Sequence, residues 1–484
     1  MMTVQSLSDL QNVSFGTSGL RGLSRELTPR LCYAYTQAFL REICPDAKAF
    51  AVALDLRPSS VKIAKSVIKA AEDLGLNVDF YGFLPTPALA YTAIQEKKPC
   101  IMITGSHIPF DRNGLKFYTP FGEISKAEEA RILSAELILE SVQYESDELP
   151  IESIRAKSNY INRYLDVFPP NTLGKKRIGV YEHSSVGRDI ITSILMSLGA
   201  DVVRLDRSDV FVPIDTEAIS EKDQEKATCW AKTLHLDAIV SMDGDADRPL
   251  VADERGQWIR GDMLGVVLVD FLNATHVATP VNSNTSLEFS KPNISTARTR
   301  IGSPYVIDAM NTMLLNSDSN AVVVGYEANG GFIVGSDVFL GDKTLKALPT
   351  RDAALPILAV LCQSSILGVS ISEMFTNFQR RYTHSDRLIN INLLEIECFL
   401  HELCLEPEKS SHFIANIFGD ALVKIDKIEE TDGLRMYLTS SDIIHLRVSG
   451  NAPELRIYSE SSSLSEAQSL VYRAKKYICA RKEV

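Results

Sequence analysis

The stretch Leu236-Asp-Ala-Ile-Val-Ser-Met-Asp-Gly-Asp-Ala-Asp-Arg248 joins an apolar, β-branched run to a short acidic loop. The run is typical of a buried strand, and polar residues that follow such a strand directly form a loop. Asp243, Asp245 and Asp247 can turn their oxygens toward one Mg2+, which prefers a few carboxylates, some waters and a phosphate oxygen. We therefore predict a magnesium site at the end of a strand, with Arg248 directed at a phosphate.

Two other interpretations of this loop are open. An acidic turn on a solvated surface is the commonest structure for such a run, but alternate acids directly after an apolar strand are unusual there. A calcium loop of the EF-hand type would use the three acids at its first, third and fifth positions and Glu254 at its twelfth. However, Arg248 stands where that loop needs Gly, and a strand precedes it where the EF-hand needs a helix. Calcium is therefore the weaker hypothesis.

Length and charge limit the class of protein. A chain of 484 residues is too long for one core, and three or four domains fit it better than one or two. The formal charge of −12 argues against nucleic acid or an anionic membrane as the main partner, because both need a basic face. The longest apolar run, residues 264–272, is far shorter than the roughly 20 residues that span a bilayer and is interpreted as a core segment.

The cysteines and the first residues indicate the compartment. Residues 1–10 lack the basic start and apolar run of a signal peptide. The eight cysteines form no C-x-x-C pair and are Cys32, Cys44, Cys100, Cys229, Cys362, Cys398, Cys404 and Cys479. We therefore predict a cytoplasmic protein with reduced, buried thiols.

Alternating strands and helices predict an α/β protein of layered domains. The first unit has predicted strands at 49–54, 78–82 and 99–103 and a helix over 60–74; the second has strands at 177–181, 200–205 and 238–242 and a helix over 188–198; the third centres on a strand at 321–325. The last hundred residues or so predict an α+β domain with a strand at 386–394, a hairpin of 442–448 and 454–458, and a helix over 465–480. We place three similar mixed α/β domains at 1–155, 156–260 and 261–375 and the α+β domain at 376–484.

In each of the three units an apolar strand leads into an unusual polar loop. These loops are Thr104-Gly-Ser-His-Ile-Pro109, Asp243 to Arg248, and Tyr326-Glu-Ala-Asn-Gly-Gly331. Open α/β sheets bind ligands at the carboxyl ends of their strands. Three such ends turned toward one another would form one central cleft.

The first loop carries a candidate nucleophile, Ser106. A serine on a tight loop is usually only a turn residue, but the continuation Asp111-Arg-Asn-Gly-Leu-Lys116 strengthens the prediction. Asn113-Gly114 is a strong turn signal, which would bring the Lys116 cation back beside the Ser106 hydroxyl. No Gly-x-Ser-x-Gly elbow is present, so a hydrolase triad is unsupported.

Four motifs in order resemble those of the α-D-phosphohexomutases over essentially the full chain. They are Phe15-Gly-Thr-Ser-Gly-Leu-Arg-Gly22, the Ser106-His107 loop with Asn113-Gly114-x-Lys116, Asp243 to Arg248, and Arg447-Val-Ser-Gly450. The resemblance implies three α/β domains and a smaller fourth domain around a central cleft. It also implies an isomerase of carbohydrate metabolism that moves a phosphate between O1 and O6 of a hexose through a phosphoserine, a bisphosphorylated sugar and one Mg2+.

Carried over by motif, Ser106 would be the phosphoserine. The metal would be held by Asp243, Asp245, Asp247 and a phosphoserine oxygen, while Arg21, Lys116 and Arg248 would face the transferring phosphate or assist proton transfer. A fourth-domain site for the other phosphate would use Arg447, Ser449, Gly450 and Asn451, with Arg456 as a second guanidinium. Phosphoryl transfer depends on positioning and charge neutralisation, which these residue types supply.

The third loop is expected to read the sugar through Glu327 and Asn329. Family members carry Glu-x-Ser-Gly there, and those that follow it with His have a titratable group where this chain has Gly331. Lys116 is then the leading candidate for the general base, and His107 is the second. The segment Thr299-Arg300-Ile-Gly302 resembles a family loop that approaches the sugar, so Gly302 is a further substrate-binding candidate.

Two further departures from the family pattern are small. The fourth-domain loop, usually Ser-Gly-Thr-Glu-Pro, is Ser449-Gly-Asn-Ala-Pro453 here, and Gly105 stands where the family often has Ala. Both spare Ser106 and Arg447, so activity is expected to survive.

The leading hypothesis is a Mg2+-dependent phosphomannomutase that also uses glucose, activated by hexose 1,6-bisphosphate. Phosphoglucomutase and phosphoglucosamine mutase are alternatives of the same class, and a catalytically silent sugar-phosphate-binding protein is one of another class. The expected partner is a small sugar phosphate, without nucleic acid or membrane, and the chain is expected to be a monomer or a dimer.

Overall fold

The computed structural model describes residues 2–139, 143–378, 381–389, 391–419, 422–448 and 454–480. Their contacts divide the chain into two compact units. Unit 1 is Met1–Ala278 with Gly302–Phe375, and unit 2 is Thr279–Ile301 with Thr376–Val484. The fold is mixed α/β, as the sequence predicts.

The first part of unit 1 contains one large mixed sheet flanked by helices, and its first and last strands form a separate two-stranded sheet. Its elements are β1 (Met2–Thr3), α1 (Val4–Gln11), β2 (Ser14–Phe15), β3 (Leu20–Leu23), α2 (Pro29–Ala38), a π-helical turn (Phe39–Ile43), β4 (Ala49–Leu54), α3 (Ser60–Glu72), β5 (Asn77–Phe83), α4 (Thr86–Gln95), β6 (Cys100–Ile103), β7 (Arg112–Thr119), β8 (Gly122–Glu123), α5 (Lys126–Ser134) and β9 (Glu136–Leu137). The main strand order is β2-β3-β7-β6-β4-β5. Its apolar cluster joins the buried face of this sheet to α2 and α3 through residues such as Val52, Ile101, Leu31 and Val67.

A second, four-stranded sheet follows. Its elements are α6 (Arg155–Leu165), β10 (Arg177–His183), α7 (Arg188–Ser197), β11 (Asp201–Arg207), α8 (Glu221–Leu234), β12 (Ala238–Met242) and β13 (Pro249–Ala252), with strand order β11-β10-β12-β13. The strand that leads into Asp243 is therefore present over the predicted residues. A strand here also contradicts the EF-hand alternative, which requires a helix.

A third sheet with its own flanking helices follows. Its elements in chain order are α9 (Gly261–Phe271), β14 (His276–Pro280), α10 (Ser286–Ser290), β15 (Ser295–Thr299), α11 (Ser303–Asn316), β16 (Val323–Tyr326), β17 (Phe332–Val334), β18 (Val338–Leu340), β19 (Lys343–Leu345), β20 (Leu348–Asp352), α12 (Ala354–Leu367) and α13 (Ile371–Phe378). Within unit 1 its sheet runs β14-β16-β17-β20. The apolar run at 264–272 is mostly α9, a helix buried over nearly its whole length.

Unit 2 contains the α+β region of the C-terminal part. Its remaining elements are β21 (Tyr382–Ile389), α14 (Leu393–Leu405), α15 (Pro407–Phe418), β22 (Ile425–Glu429), β23 (Leu434–Leu438), β24 (Ile443–Val448), β25 (Glu454–Ser461) and α16 (Leu464–Ala480). The five strands form one antiparallel sheet in the order β21-β25-β24-β23-β22. The predicted hairpin and final helix are confirmed.

The three loops of interest occupy one topological position. In each of the three larger sheets of unit 1, a strand that is parallel to its inner neighbour connects directly to an antiparallel strand: β6 to β7, β12 to β13, and β16 to β17. The connections carry Ser106, Asp243 and Glu327. Because the same order of strands recurs, the sequence pattern of strand followed by polar loop reflects a repeated architecture.

Three local predictions are wrong. Asn113-Gly114 is not a turn but lies inside β7, and the antiparallel pairing of Met102 with Lys116 brings the lysine back. The strand predicted over 386–394 ends at Ile389, and α14 begins at Leu393 because Ile396, Phe399 and Leu403 recur with helical spacing and are buried. All eight cysteines are free, but Cys229 and Cys398 are exposed, since each lies on a helix with one face toward solvent.

Among the described residues, no single helix has both the length and the apolar composition to cross a membrane. Only α12 and α13 taken together pass that test, and they bend by 99° at the break between them.

Candidate active site

Ser106 lies in a tight loop after β6 with a strained backbone. Its φ of 52° is in the left-handed region, which is uncommon for a residue other than glycine and clusters at functional sites. Its amide donates to Thr104 Oγ1 over 2.7 Å, and Thr104 Oγ1 donates in turn to Asp55 Oδ2, also over 2.7 Å. The side chain is fully buried, and its Oγ donates to Asp243 Oδ2 over 2.6 Å. The loop therefore presents the hydroxyl to the acidic loop of the second sheet.

The acidic loop folds its three carboxylates together. Ligand atoms of Asp243, Asp245 and Asp247 all lie within 4.8 Å of one another, and each side chain is completely buried. Asp243 Oδ1 accepts the backbone N–H groups of Asp247 and Arg248, both over 3.1 Å, which closes the loop. Ala246 has a φ of 58°, so this loop also carries a non-glycine residue in the left-handed region.

Burial and nearby charges shift the pKa values of Asp243 and Asp247 in opposite directions. Burial, with the charges of Asp245 and Asp247, raises the pKa of Asp243 to about 8. Burial would also raise the pKa of Asp247, but the charges of Arg351, Lys116 and Arg248 outweigh it and hold that pKa below its usual range. The site thus concentrates negative charge and needs cations to hold it.

The predicted cations Lys116 and Arg21 both face this cluster. Lys116 Nζ donates to Asp245 Oδ2 over 2.6 Å and to Asp247 Oδ2 over 2.5 Å. Burial opposes its charge, but these two carboxylates raise the pKa of Lys116 overall, which favours a proton donor over the general base predicted from sequence. Burial and the nearby charge of Arg248 lower the pKa of Arg21 to about 10. No hydrogen-bond partner of the Arg21 guanidinium is found within the described ranges.

His107 lies between Ser106 and Arg248. Its Nδ1 is 3.3 Å from Ser106 Oγ and 2.9 Å from Arg248 Nη1, and because a guanidinium can only donate, Nδ1 is the acceptor. The charge of Arg248, followed by burial, lowers the pKa of His107 far below its usual value. His107 is therefore neutral, and its basicity is low for a general base.

The third loop places Glu327 and Asn329 against the same site. Glu327 Oε2 accepts from Asn329 Nδ2 over 3.4 Å, and Asn329 Oδ1 accepts the N–H of Gly331 over 2.9 Å. Gly302 precedes α11 with a φ of 135°, and a Cβ there would lie 2.4 Å from Thr17 Cγ2. Glycine at 302 is thus required both by conformation and by the close approach of the loop that precedes Arg21.

Two arginines were missed by sequence reasoning. Arg351, at the end of β20, lies 2.7 Å through Nη2 from Asp247 Oδ2 and 3.2 Å through Nη1 from Glu327 Oε2. Arg57 holds the Ser106 loop from behind and donates to the carbonyl of Ser106 over 2.8 Å. Arg57 follows β4 in the segment Asp55-Leu-Arg57, where an apolar strand again leads directly into polar residues, so this pattern could have identified it. No sequence pattern indicated Arg351.

In unit 2, Arg447 and Arg456 occupy facing positions on β24 and β25, and Arg387 on β21 faces Arg456 from the other side. Like charges directly opposite one another in a sheet are destabilising unless an anion or acid offsets them. Asp432 accepts from Arg447 Nε over 2.8 Å and from the amide of Ile301 over 2.9 Å. The candidates Ser449, Gly450 and Asn451 lie outside the described residues.

The buried oxygens of unit 1 fit a divalent cation. Asp245 Oδ1 and Asp247 Oδ1 are buried and have no hydrogen-bond partner among the described residues. An unpartnered buried carboxylate oxygen is costly unless a cation satisfies it. The donor set of clustered carboxylates beside the Ser106 hydroxyl is that of a hard metal ion.

Comparison with known proteins agrees with this geometry. The family profile described as phosphoglucomutase/phosphomannomutase, alpha/beta/alpha domain I matches residues 12–137, and that of domain III matches residues 260–382. The structure of a phosphoglucomutase/phosphomannomutase family protein from Burkholderia thailandensis superposes with a TM-score of 0.69 at 17% identity, covering 96% of this chain and 97% of that one.

Curated relatives are similar over almost the whole length. A phosphomannomutase of Salmonella muenchen is 46% identical over 95% of this chain and 94% of the relative. A phosphomannomutase of Sinorhizobium fredii is 40% identical over 94% of this chain and 97% of the relative. With this identity, the two profile matches and the shared fold, the chain belongs to the phosphoglucomutase/phosphomannomutase family of phosphotransferase isomerases.

Proposed function

We propose that this chain interconverts hexose 6-phosphate and hexose 1-phosphate, with mannose preferred and glucose also accepted. The observation that carries the proposal is the 2.6 Å hydrogen bond from Ser106 Oγ to Asp243 Oδ2, which places a hydroxyl against three buried carboxylates. The preference for mannose follows the phosphomannomutases that are 46% and 40% identical. The four-domain division at residues 155, 260 and 375, with a central cleft, is part of this proposal.

In the proposed cycle, phosphorylated Ser106 gives its phosphoryl group to the free hydroxyl of the sugar monophosphate. A bond forms between that oxygen and phosphorus and the bond from phosphorus to Ser106 Oγ breaks, and the proton that the sugar hydroxyl releases is balanced by one that Ser106 Oγ takes up. The bisphosphorylated sugar then turns over and returns its other phosphoryl group to Ser106. Hexose 1,6-bisphosphate activates unphosphorylated enzyme through this second half of the cycle.

The cations of unit 1 neutralise the transferring group. Arg21 and Arg248 face the phosphoryl oxygens, and Lys116 holds a proton that it can give to the departing Ser106 oxygen. Neutral His107 orients Arg248 by accepting from its Nη1 through Nδ1. Such fixed charges stabilise a transition state in which the phosphoryl group is loosely bonded at both ends.

The metal in this proposal is one Mg2+, held by Asp243, Asp245, Asp247 and an oxygen on Ser106. The Oδ1 atoms of Asp245 and Asp247, which accept no hydrogen bond among the described residues, support this set. When bound, the ion offsets negative charge on the reacting phosphate.

Recognition of the rest of the substrate is divided between two regions. Glu327 and Asn329 bind sugar hydroxyls, and the Gly302 backbone lines the same side. In the C-terminal region, Arg447 and Arg456, together with residues 449–451, bind the phosphate that does not react. Arg447 and Arg456 face each other on neighbouring strands, and two such positive charges side by side support an anion site. We also expect a cytoplasmic monomer or dimer.

The direct test is conversion of mannose 1-phosphate and glucose 1-phosphate side by side, with Mg2+ and a catalytic amount of hexose 1,6-bisphosphate. We expect turnover of both sugars and a higher kcat/KM for mannose 1-phosphate. A protein that turns over glucosamine 1-phosphate in preference to both would instead be a phosphoglucosamine mutase.

A substitution at the nucleophile separates the mutase from a silent sugar-phosphate-binding protein. Ser106→Ala should lower kcat by at least about a thousandfold, since the covalent route is removed. The exposed helix residue Ser197, changed to Ala, is the matched control and should keep wild-type activity. In wild-type protein, a species heavier by one phosphoryl group that sugar phosphate removes would support the mutase. Its absence after treatment with hexose 1,6-bisphosphate would contradict the phosphoserine.

A further inference from the structure

A side chain at position 331 would collide with Arg351, whose side chain fills the volume beside Gly331. A Cβ at position 331 would lie 2.4 Å from Arg351 Cδ and 2.8 Å from Arg351 Cγ. Real Cβ atoms do not approach so closely, so any side chain at 331 must displace the stem of Arg351. The third loop therefore has room for either a side chain at 331 or the arginine, but not for both.

The guanidinium of Arg351 connects separate parts of the site. It donates to Asp247 Oδ2 through Nη2 over 2.7 Å and through Nε over 3.1 Å, and to Glu327 Oε2 through Nη1 over 3.2 Å. Nη1 also donates to Ser303 Oγ over 3.0 Å, and Nη2 lies 3.5 Å from Ser18 Oγ. With only 3% of its side chain exposed, Arg351 bridges the acidic loop, the sugar loop, the start of α11 and the loop before Arg21.

Within the described ranges, these contacts leave one oxygen of each carboxylate without a hydrogen bond, although Arg248 Nε lies 3.7 Å from Asp247 Oδ1. Arg351 engages Glu327 through Oε2, and in the described part of the chain no hydrogen bond to Glu327 Oε1 is found. Asp247 Oδ2 accepts from Arg351 and Lys116, while its Oδ1 is without a hydrogen-bond partner among the described residues. A rigid guanidinium fork fixes the plane of a carboxylate in a way that the single charge of lysine does not.

We propose that Arg351 is a positioning residue for sugar recognition, which aims Glu327 Oε1 at the sugar hydroxyls and fixes Glu327 relative to Asp247. Gly331 permits this arrangement, because the absence of a side chain there leaves the volume that the Arg351 side chain occupies. The inference rests on the proposed function, since Glu327 is taken to read the sugar of a hexose phosphate. It adds a residue pair, Arg351 with Gly331, that determines how strictly the hydroxyls are read.

The test measures discrimination between substrates. Calorimetry on dephosphorylated protein with Mg2+ gives Kd for mannose 1-phosphate and for its 3-deoxy and 4-deoxy analogues, without any need for turnover. Wild-type protein should bind mannose 1-phosphate at least about tenfold more tightly than one of the analogues, because a charged hydrogen-bond partner is lost. Arg351→Ala should bring that ratio close to one, and Arg351→Lys should restore only part of it.

Gly331→Ala tests the same point if Arg351→Ala fails to fold. Its new methyl meets the flexible stem of Arg351, so we expect a small change in Tm but the same loss of discrimination. In the Arg351→Ala background the added methyl should change the ratio by less than about twofold, because neighbours that share one contact are not additive. Gly335→Ala, at the other end of β17, is the matched control, since its Cβ would lie 2.7 Å from the flexible Met310 methyl group and 3.1 Å from the carbonyl oxygen of Val323, with no atom of Arg351 among its nearest neighbours.

The outcomes separate the two proposals. Two outcomes overturn the positioning role while the mutase proposal stands. One is discrimination between substrate and analogues that survives in both Gly331→Ala and Arg351→Lys. The other is an equal loss of affinity for substrate and analogues in every variant. Wild-type protein that binds none of the sugar phosphates overturns the proposed function and this inference with it.

Discussion

Arg57 and Arg351 each hold a functional loop, but they do so through different partners. All five N–H groups of Arg57 are used, one on Asp55 and four on the backbone carbonyls of residues 106, 108, 109 and 112. Arg351 instead donates to side chains of the candidate site, including Glu327 and Asp247. The first arginine fixes the course of the chain, and the second holds side chains to which the proposed function assigns the sugar and the metal.

The difference teaches that a buried arginine near an active site need not act on the chemistry. Arg57 is 1% exposed and lies over the ring of Phe211 at 4.0 Å, so its charge is satisfied entirely within the protein. Loss of Arg57 should therefore show as instability, and loss of Arg351 as altered recognition.

The main chain of the acidic loop is a third case, because its carbonyl groups accept hydrogen bonds from neutral side chains, whereas Lys116 and Arg351 bind its carboxylates. His183 Nε2 donates to the carbonyl of Met242 over 2.7 Å, and Ser185 Oγ donates to the carbonyl of Asp243 over 2.8 Å. Thr86 Oγ1 donates to Asp245 Oδ2 over 2.5 Å. These three hydrogen bonds orient a loop that is dense in carboxylates and add no further charge to it.

The largest effect is expected from Arg57→Ala. The change leaves Asp55 charged and buried together with four carbonyl oxygens, so the free energy of unfolding should fall by about 3–5 kcal/mol. Urea denaturation measures it, with Arg112→Ala, an exposed arginine beyond the same loop, as control. A variant as stable as the control would break the contrast with Arg351.

Acid should destabilise the support of the acidic loop. Burial lowers the pKa of His183 to about 4, against about 6.5 in an unfolded chain, so its contribution is complete above pH 6.5 and is lost as pH falls toward 4. The loss approaches about 3 kcal/mol at 1.36 kcal/mol per pH unit. His183→Gln should flatten the dependence of stability on pH over this range, whereas the exposed His401→Gln serves as the control. An unchanged slope in His183→Gln would contradict the prediction.

Gly105→Ala sharpens the contrast between the two arginines. Its Cβ would lie 2.6 Å from Arg57 Cζ, and Arg57 cannot move without releasing the loop, so we expect about 1–2 kcal/mol lower stability. In Gly331→Ala the arginine can move, and recognition changes in place of stability. Thermal unfolding of both variants makes the comparison, and an equal Tm loss in both would remove the distinction.

The smallest effect is expected from Thr86→Val. Asp245 loses a hydrogen bond that orients it, so the Mg2+ concentration needed for half-maximal activity and for half-maximal thermal stabilisation should rise about tenfold. Thr92→Val, a buried threonine in the same helix, is the matched control. If both variants require the same Mg2+ concentration, Thr86 does not support the metal site.

Sequence reasoning identified the residues that come directly after strands. Ser106, Asp243 and Glu327 were found because each follows an apolar run, and Lys116 and Arg248 because they lie within a few residues of those loops. Arg351 was missed because it follows no such loop, and it reaches Glu327 through packing of β20 beside β17. Asn113-Gly114 was misread as a turn because pairing with β3 and β6 outweighs the local turn preference of two residues.

The sequence by itself determined the class of fold, the family and the acidic and nucleophilic loops, because alternation of apolar strands and polar loops is a local property of the chain. Only the tertiary structure decided which arginines complete the site. Arg57 lies 49 residues from Ser106 and Arg351 lies 104 residues from Asp247, so nothing local specifies either contact. The vacant side-chain positions at Gly105 and Gly331 are meaningful only when the arginines that fill them are seen, since close packing is a property of residues distant in sequence.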